Sequence, residues 1–177
     1  MIIETERLRL RPMEPKDIDE FVRDLSDWEV QQWLAQPPLP YMREDGEAFL
    51  AIVQANHTTP HPTMFVVADK DSDAALGTVG VDIDGAGIGV LGYWFGRGHW
   101  GRGIAKEAVG ALVHHARNHP AVRMLTAVTD LENVRSQRVL AGSGLVDCGI
   151  EDRQKPSRRG ATQMRRYELV IMTKEPP

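Results

Sequence analysis

The feature that most constrains this chain is the hexapeptide Trp100-Gly101-Arg102-Gly103-Ile104-Ala105. It lies between an apolar aromatic run, Val90-Leu91-Gly92-Tyr93-Trp94-Phe95, and a long amphipathic segment. In that segment Ile104, Ala108, Leu112 and Ala116 form one stripe, with Ala105, Val109 and Val113 beside it, ending near Asn118-His119-Pro120. The order reads as strand, tight turn and helix. Glycine lets the backbone approach a ligand closely, and the first-turn N–H groups of a helix have no partner inside it. Such a turn is an anion cradle suited to phosphate or pyrophosphate.

The surrounding elements follow from periodicity. Leu8-Arg9-Leu10-Arg11 alternates as a strand with one buried face, and Pro12 ends it. Residues 14–34 contain a helix, with Pro15 in its first turn and Ile18, Phe21, Val22 and Leu25 at helical spacing. Trp28, Val30 and Trp33 continue into a second short helix. Residues 36–40 are a proline-rich connector, and residues 44–54 form a third helix. Strands are expected at 64–68, 76–83, 88–95, 124–128, 145–150 and 166–172, with a short helix from Asn133 to Ala141 stopped by Gly142-Ser143-Gly144. This is an α/β (α+β) arrangement: a sheet of mixed direction with helices on both faces and a right-handed crossover around the glycine turn.

The 177 residues suit one domain spanning 1–177, and 42% hydrophobic with 26% charged residues suits a globular chain. A net charge of -4 offers no basic excess for nucleic acid. One cysteine, Cys148, precludes an internal disulfide and is compatible with a reducing compartment. No apolar run reaches membrane-spanning length, and the start lacks the form of a secretory signal. The expectation is a cytoplasmic protein with neither nucleic-acid nor membrane partners.

Two glycine clusters compete as ligand loops. Gly85-Ala86-Gly87-Ile88-Gly89 superficially matches a dinucleotide fingerprint, but no helix follows it, and Asp84-Gly85 marks a hairpin. Gly101-Arg102-Gly103 does open a helix. It is not a Walker loop, because no Gly-Lys-Ser/Thr follows. From spacing alone it is either an anion site or simply a tight strand-to-helix turn.

The hexapeptide also resembles the Gln/Arg-x-x-Gly-x-Gly/Ala signature of GNAT-type N-acetyltransferases. Thr5-Glu6-Arg7-Leu8-Arg9-Leu10-Arg11-Pro12 resembles the opening of their RimJ/RimL-like branch. Gly92-Tyr93-Trp94-Phe95-Gly96 resembles the strand before the pyrophosphate loop, and Asn133-x-x-Ser136 with Gly144-Leu145 resembles a downstream element. The resemblance spans residues 3–169. It implies the GNAT fold: a mostly antiparallel sheet of six to seven strands with a splayed central pair.

It also implies a site. Backbone N–H groups of Gly101, Arg102, Gly103, Ile104 and Ala105 would hold the pyrophosphate of acetyl-CoA, the cosubstrate. Main-chain groups of Trp94, Phe95 and Gly96 would pair with the pantetheine, and the Asn133 side chain would bond the same arm. Ser136 would lie near the thioester sulfur and protonate the leaving thiolate. The acceptor would be a primary amine, on a protein N-terminus or a small molecule such as a polyamine or antibiotic. A homodimer is common in the family, and no metal is implied.

Two positions depart from the pattern. Trp100 stands where Gln or Arg is usual and is expected to pack under the loop. Val90 stands where many members carry a glutamate base; either Asp82 substitutes for it or the minor neutral amine is bound with no dedicated base, while Asp84 serves the hairpin. Val90 also favours a rival reading, a CoA-binding or sensing module without catalysis. Trp28, Trp33 and Tyr41 are either acceptor wall or core. His114, His115 and His119 read as a solvated helix face rather than metal ligands, and Arg153, Lys155, Arg158 and Arg159 as a basic loop that is solvated in preference to steering an acidic acceptor.

Overall fold

The computed structural model describes residues 1–154 and 156–171; Lys155 and Met172 lie outside them. Its strands are β1 (Ile3–Glu4), β2 (Leu8–Arg11), β3 (Met64–Asp69), β4 (Ala75–Ile83), β5 (Ile88–Phe95), β6 (Met124–Asp130), β7 (Val146–Asp152) and β8 (Gln163–Val170). They form one eight-stranded sheet in the order β1-β2-β3-β4-β5-β6-β8-β7. All neighbours pair antiparallel except β5 and β6, which are parallel. The helices are α1 (Ile18–Leu25), α2 (Trp28–Gln31), α3 (Arg43–Asn56), α4 (Ile104–Ala116) and α5 (Val134–Gly142).

The sheet exceeds the expected six to seven strands by the two-residue β1, which pairs Ile3 with Leu10 and Glu4 with Arg9. Two residues are too few to show an alternation. The expected helix in residues 14–34 is shorter and begins as a 3-10 turn, Pro15–Asp17. Arg11, expected on the solvated face of its strand, is only 3% exposed. Its guanidinium makes two 2.8 Å bonds to fully buried Asp17, whose carboxylate also accepts the Glu14 N–H at 2.8 Å. A buried charge needs such a bidentate partner.

The hairpin reading of the first glycine cluster holds. Asp84 Oδ1 accepts the N–H groups of Ala86 and Ile88 at 2.8 and 2.9 Å, closing the β4–β5 turn.

Two apolar clusters cover the two faces of the sheet. Leu91, Phe95, Leu125 and Ala127 pack with Ile104, Val109 and Leu112 of α4 and Leu140 of α5. On the other face Phe21, Leu25 and Val53 of α1 and α3 pack with Val66, and Trp94 joins them. Between the two clusters the sheet opens. The β5–β6 pairing covers only Ile88↔Met124, Gly89↔Leu125 and Val90↔Thr126. β5 continues to Phe95 beside β4, and β6 continues to Asp130 beside β8. The expected splayed pair is present, and past Val90 the gap-facing edge of β5 has no neighbouring strand.

Candidate active site

The glycine turn has the geometry of an anion cradle. Gly101 and Gly103 adopt φ of +74° and +76°, a left-handed conformation that favours glycine. Gly103 is the N-cap of α4 and supplies no side-chain cap, so the first-turn N–H groups keep their donors. A Cβ at Gly101 would meet nothing within 4 Å, and one at Gly103 only the Arg7 guanidinium at 3.4 Å. An open, positively polarised turn with room beside it fits a pyrophosphate group.

A brace absent from the sequence reading holds this turn. Glu107, in the first turn of α4, accepts the Thr5 hydroxyl at 2.6 Å, the Arg7 N–H at 2.9 Å and the Arg7 Nε at 2.7 Å. Burial pushes the Glu107 carboxyl up, but these donors outweigh it and its pKa lies below the ordinary value. Arg7 also donates to the Arg102 carbonyl at 2.9 Å. In the sequence Thr5 and Arg7 carry no signal beyond the opening motif, because a contact 100 residues away leaves no local periodic trace.

Trp100 packs against both apolar clusters, as expected of a residue beneath the loop. Its indole N–H donates to the Phe95 carbonyl at 2.9 Å, and Arg135 stacks over its ring at 4.3 Å. Main-chain groups proposed for the pantetheine are thus partly engaged. The Phe95 carbonyl holds Trp100, the Gly96 N–H donates to Leu76, and the Gly96 carbonyl accepts from His99.

Across the gap, Asn133 caps α5, its side-chain oxygen accepting the Ser136 N–H at 3.1 Å. Ser136 Oγ lies 2.8 Å from the Tyr93 hydroxyl, which also reaches the Ser136 carbonyl at 3.2 Å. Burial pushes the Tyr93 phenol up to about 12 despite its bond to Ser136. The pair links β5 to α5 beside the unpaired edge. Tyr93 stood in a quoted motif, but nothing in the sequence brings it to Ser136.

Trp94, Phe95, Gly101, Gly103, Ile104, Ala105, Asn133, Ser136 and Asp82 all line one cleft of about 1690 Å³; Gly96 and Arg102 do not. Asp82 is exposed and pairs across the ladder with Val90, which is 51% exposed. The pairing partner of Tyr93 on β4 is Val79. Asp82 is three residues from Val79, about 10 Å of strand rise, and that odd step turns its side chain to the face opposite Tyr93.

The aromatic alternatives divide. Tyr41 is buried core that also lines the cleft, its phenol pushed up to about 12 by burial first and by Asp45 second. Trp33 lines the cleft, while Trp28 is 47% exposed and outside it. The basic loop is not simply solvated. Arg158 donates to the carbonyls of Gln31 and Pro37, and Arg159 stacks 4.3 Å over Trp33 while pairing with Glu132. These contacts tie the β7–β8 loop to α2 and to the start of α5. Nor is the histidine face wholly solvated. His114 is exposed, but His115 Nε2 lies 2.9 Å from the Pro62 carbonyl and His119 meets His61 edge to face with ring centres 5.3 Å apart. Among the described residues no three His, Cys, Asp or Glu side chains form a metal-binding group.

Known proteins share this architecture. Residues 7–146 match the family model described as Acetyltransferase (GNAT) domain. An uncharacterized N-acetyltransferase, p20, from Bacillus licheniformis is 29% identical over 138 residues, 77% of each chain. A ribosomal-protein alanine acetyltransferase from Vibrio fischeri superposes with a TM-score of 0.83 at 19% identity, over 99% of this chain and 100% of that one. RimL, a ribosomal-protein acetyltransferase solved in complex with coenzyme A, superposes with a TM-score of 0.78 at 18% identity, over 97% and 98%. With the family model covering most of its length, and with the splayed pair and glycine cradle in place, the chain belongs to the GNAT acetyltransferase family and is an acetyl-CoA-dependent acyltransferase.

Proposed function

We propose that the chain moves the acetyl group of acetyl-CoA to a primary amine by direct attack, with both substrates held in the one cleft. The observation that carries this is the Tyr93–Ser136 hydroxyl pair, 2.8 Å apart, beside the opened edge of β5.

Acetyl-CoA supplies a thioester acyl donor. The residues of this chain do four things with it. N–H groups of residues 101–105, with Arg7 behind them, hold the pyrophosphate. The gap-facing edge of β5 beyond Val90, apart from the Phe95 carbonyl that Trp100 holds, aligns the pantetheine as an added strand together with the uncommitted amide N–H groups of Asn133. Such positioning contributes about 7–11 kcal/mol in favourable cases. Ser136 donates a proton to the departing sulfur while its own oxygen is held by Tyr93, a contribution of about 10²–10⁴-fold. Asp82, exposed and three rungs away, accepts the proton of the amine through water.

A protein N-terminus and a small amine both present the reacting group. The test is thiol release from acetyl-CoA against a panel of amines and N-terminal peptides. Turnover with at least one class supports the reading; CoA binding with no turnover on any of them sinks it.

A further inference from the structure

The acceptor side of the cleft contains a carboxylate for which the chain provides only half a set of partners. Asp130 ends β6 and is 7% exposed. Its Oδ1 accepts the Glu132 N–H at 3.0 Å, closing the turn into α5. Its Oδ2 is buried without a hydrogen-bond partner. A buried carboxylate oxygen left unpaired is costly, and such groups are rare unless something outside the chain completes them.

Its position says what that something is. Val90 and Thr126 are the last pair joining β5 to β6. Four residues further on each strand stand Trp94 and Asp130, on opposite lips of the gap. Side chains of one parity share one face of a strand, so Asp130 lies on the face of Trp94, the α1–α3 side. Tyr93, one residue before Trp94, turns its ring to the other face, so the Tyr93–Ser136 hydroxyls and Asp130 approach the gap from its two sides, and Asp130 lines the same cleft. Trp33, Tyr41, Phe49 and Trp94 supply the aromatic wall of that side. The Arg159 contacts, stacked on Trp33 and paired with Glu132, bring that wall to the turn containing Asp130.

We propose that Asp130 binds the cationic nitrogen of the acceptor, and that the acceptor is a small amine with an aromatic or apolar body resting on these rings. This rests on the acetyltransfer reading above and extends it to the acceptor. The ammonium gives Oδ2 its missing donor and aims the nitrogen into the gap from the α1–α3 side, while the hydroxyl pair stands on the other side of it. Asp130 is a binding and positioning group; proton removal belongs to the later step.

Asp130→Asn isolates the claim. The amide retains an oxygen for the Glu132 N–H, so the turn survives, while the charge and the second acceptor are lost. The experiment measures binding of 2-phenylethylamine, n-butylamine and the neutral 2-phenylethanol to the wild type and to Asp130→Asn, by calorimetry, with and without saturating CoA. The expected result is that the wild type binds 2-phenylethylamine most tightly and the alcohol weakest. Asp130→Asn then weakens both amines by about 10- to 100-fold, as for loss of a charge-assisted bond, with CoA affinity unchanged. Equal amine affinity in the variant, or a wild type that binds no amine or does not prefer amines to the alcohol, overturns the inference. Failure of CoA itself to bind would instead overturn the acetyltransfer reading, and the arms without CoA still report on Asp130.

Discussion

In the proposed mechanism Tyr93 makes Ser136, a weak acid, useful. A serine hydroxyl is a poor proton donor alone. Here a phenol held protonated, its pKa pushed up to about 12 chiefly by burial, lies 2.8 Å from Oγ. If the phenol donates to Oγ, the serine proton is turned outward. Ser136→Ala is expected to lower kcat by about 100-fold with little change in the KM for acetyl-CoA. Tyr93→Phe should cost less alone and almost nothing further in the Ser136→Ala background, because groups acting as a unit are not additive. Steady-state kinetics of the three variants check this, and additive losses would break the pairing. A different residue contributes to the acid sensitivity of the fold. Asp73 is bonded by Lys16 and Arg11, which hold its carboxyl at about 2 against an ordinary 3.8. A lowered folded pKa stabilises the native state above the unfolded value and loses that contribution as pH falls toward the folded one. Stability should therefore fall by about 1 kcal/mol from this group, after solvent screening, between roughly pH 4 and pH 2. In Asp73→Asn that part of the acid dependence should vanish, as read by denaturant melts at each pH.

Among the elements, the turn into α4 does two jobs with two glycines. The positive φ of Gly101 and Gly103 reverses the chain, and the bare backbone leaves its donors open. Forcing an L side chain into that conformation costs about 1–2 kcal/mol, so Gly103→Ala should weaken CoA binding by roughly tenfold. The double φ demand was legible as a glycine pattern; the brace behind it was not. Arg7 and Glu107 meet through pairing of β2 into the sheet, and only the assembled topology brings them together. The same holds for the β7–β8 loop. Its arginines read as solvated because charge usually is, whereas Arg158 and Arg159 find carbonyls, an indole and Glu132 on distant elements. Because Arg159 stacks on Trp33, which lines the proposed acceptor side of the cleft, Arg159→Ala should raise the KM for the amine and leave that for acetyl-CoA unchanged. Local pattern thus disclosed hydrophobic stripes, turns and the cradle, and missed contacts whose partners are separated by the whole fold.

At the scale of the molecule, the opened sheet is a built-in defect. Between β5 and β6 the ladder stops after Val90 and Thr126, and a cleft of about 1690 Å³ lined by residues of both apolar clusters opens there. A sheet edge left unpaired inside a domain is stable only when the surrounding packing holds it, here through α4 and α5 on one face and α1 and α3 on the other. A ligand that lies along that edge and reaches the glycine turn joins strands the chain itself leaves apart. CoA should therefore stabilise the whole fold. At 100 times its Kd the linkage is about 2.7 kcal/mol, which for a chain of this size corresponds to a Tm increase of roughly 5–10 °C. The protection should also be localised. Amide exchange should slow most at residues 91–95 on β5 and at 101–105 in the turn, and least in α1 and α3. A rise in Tm with exchange slowed uniformly would mean general tightening rather than a strand added in the gap. No rise at saturating CoA would mean that the opened edge is not where the cofactor lies.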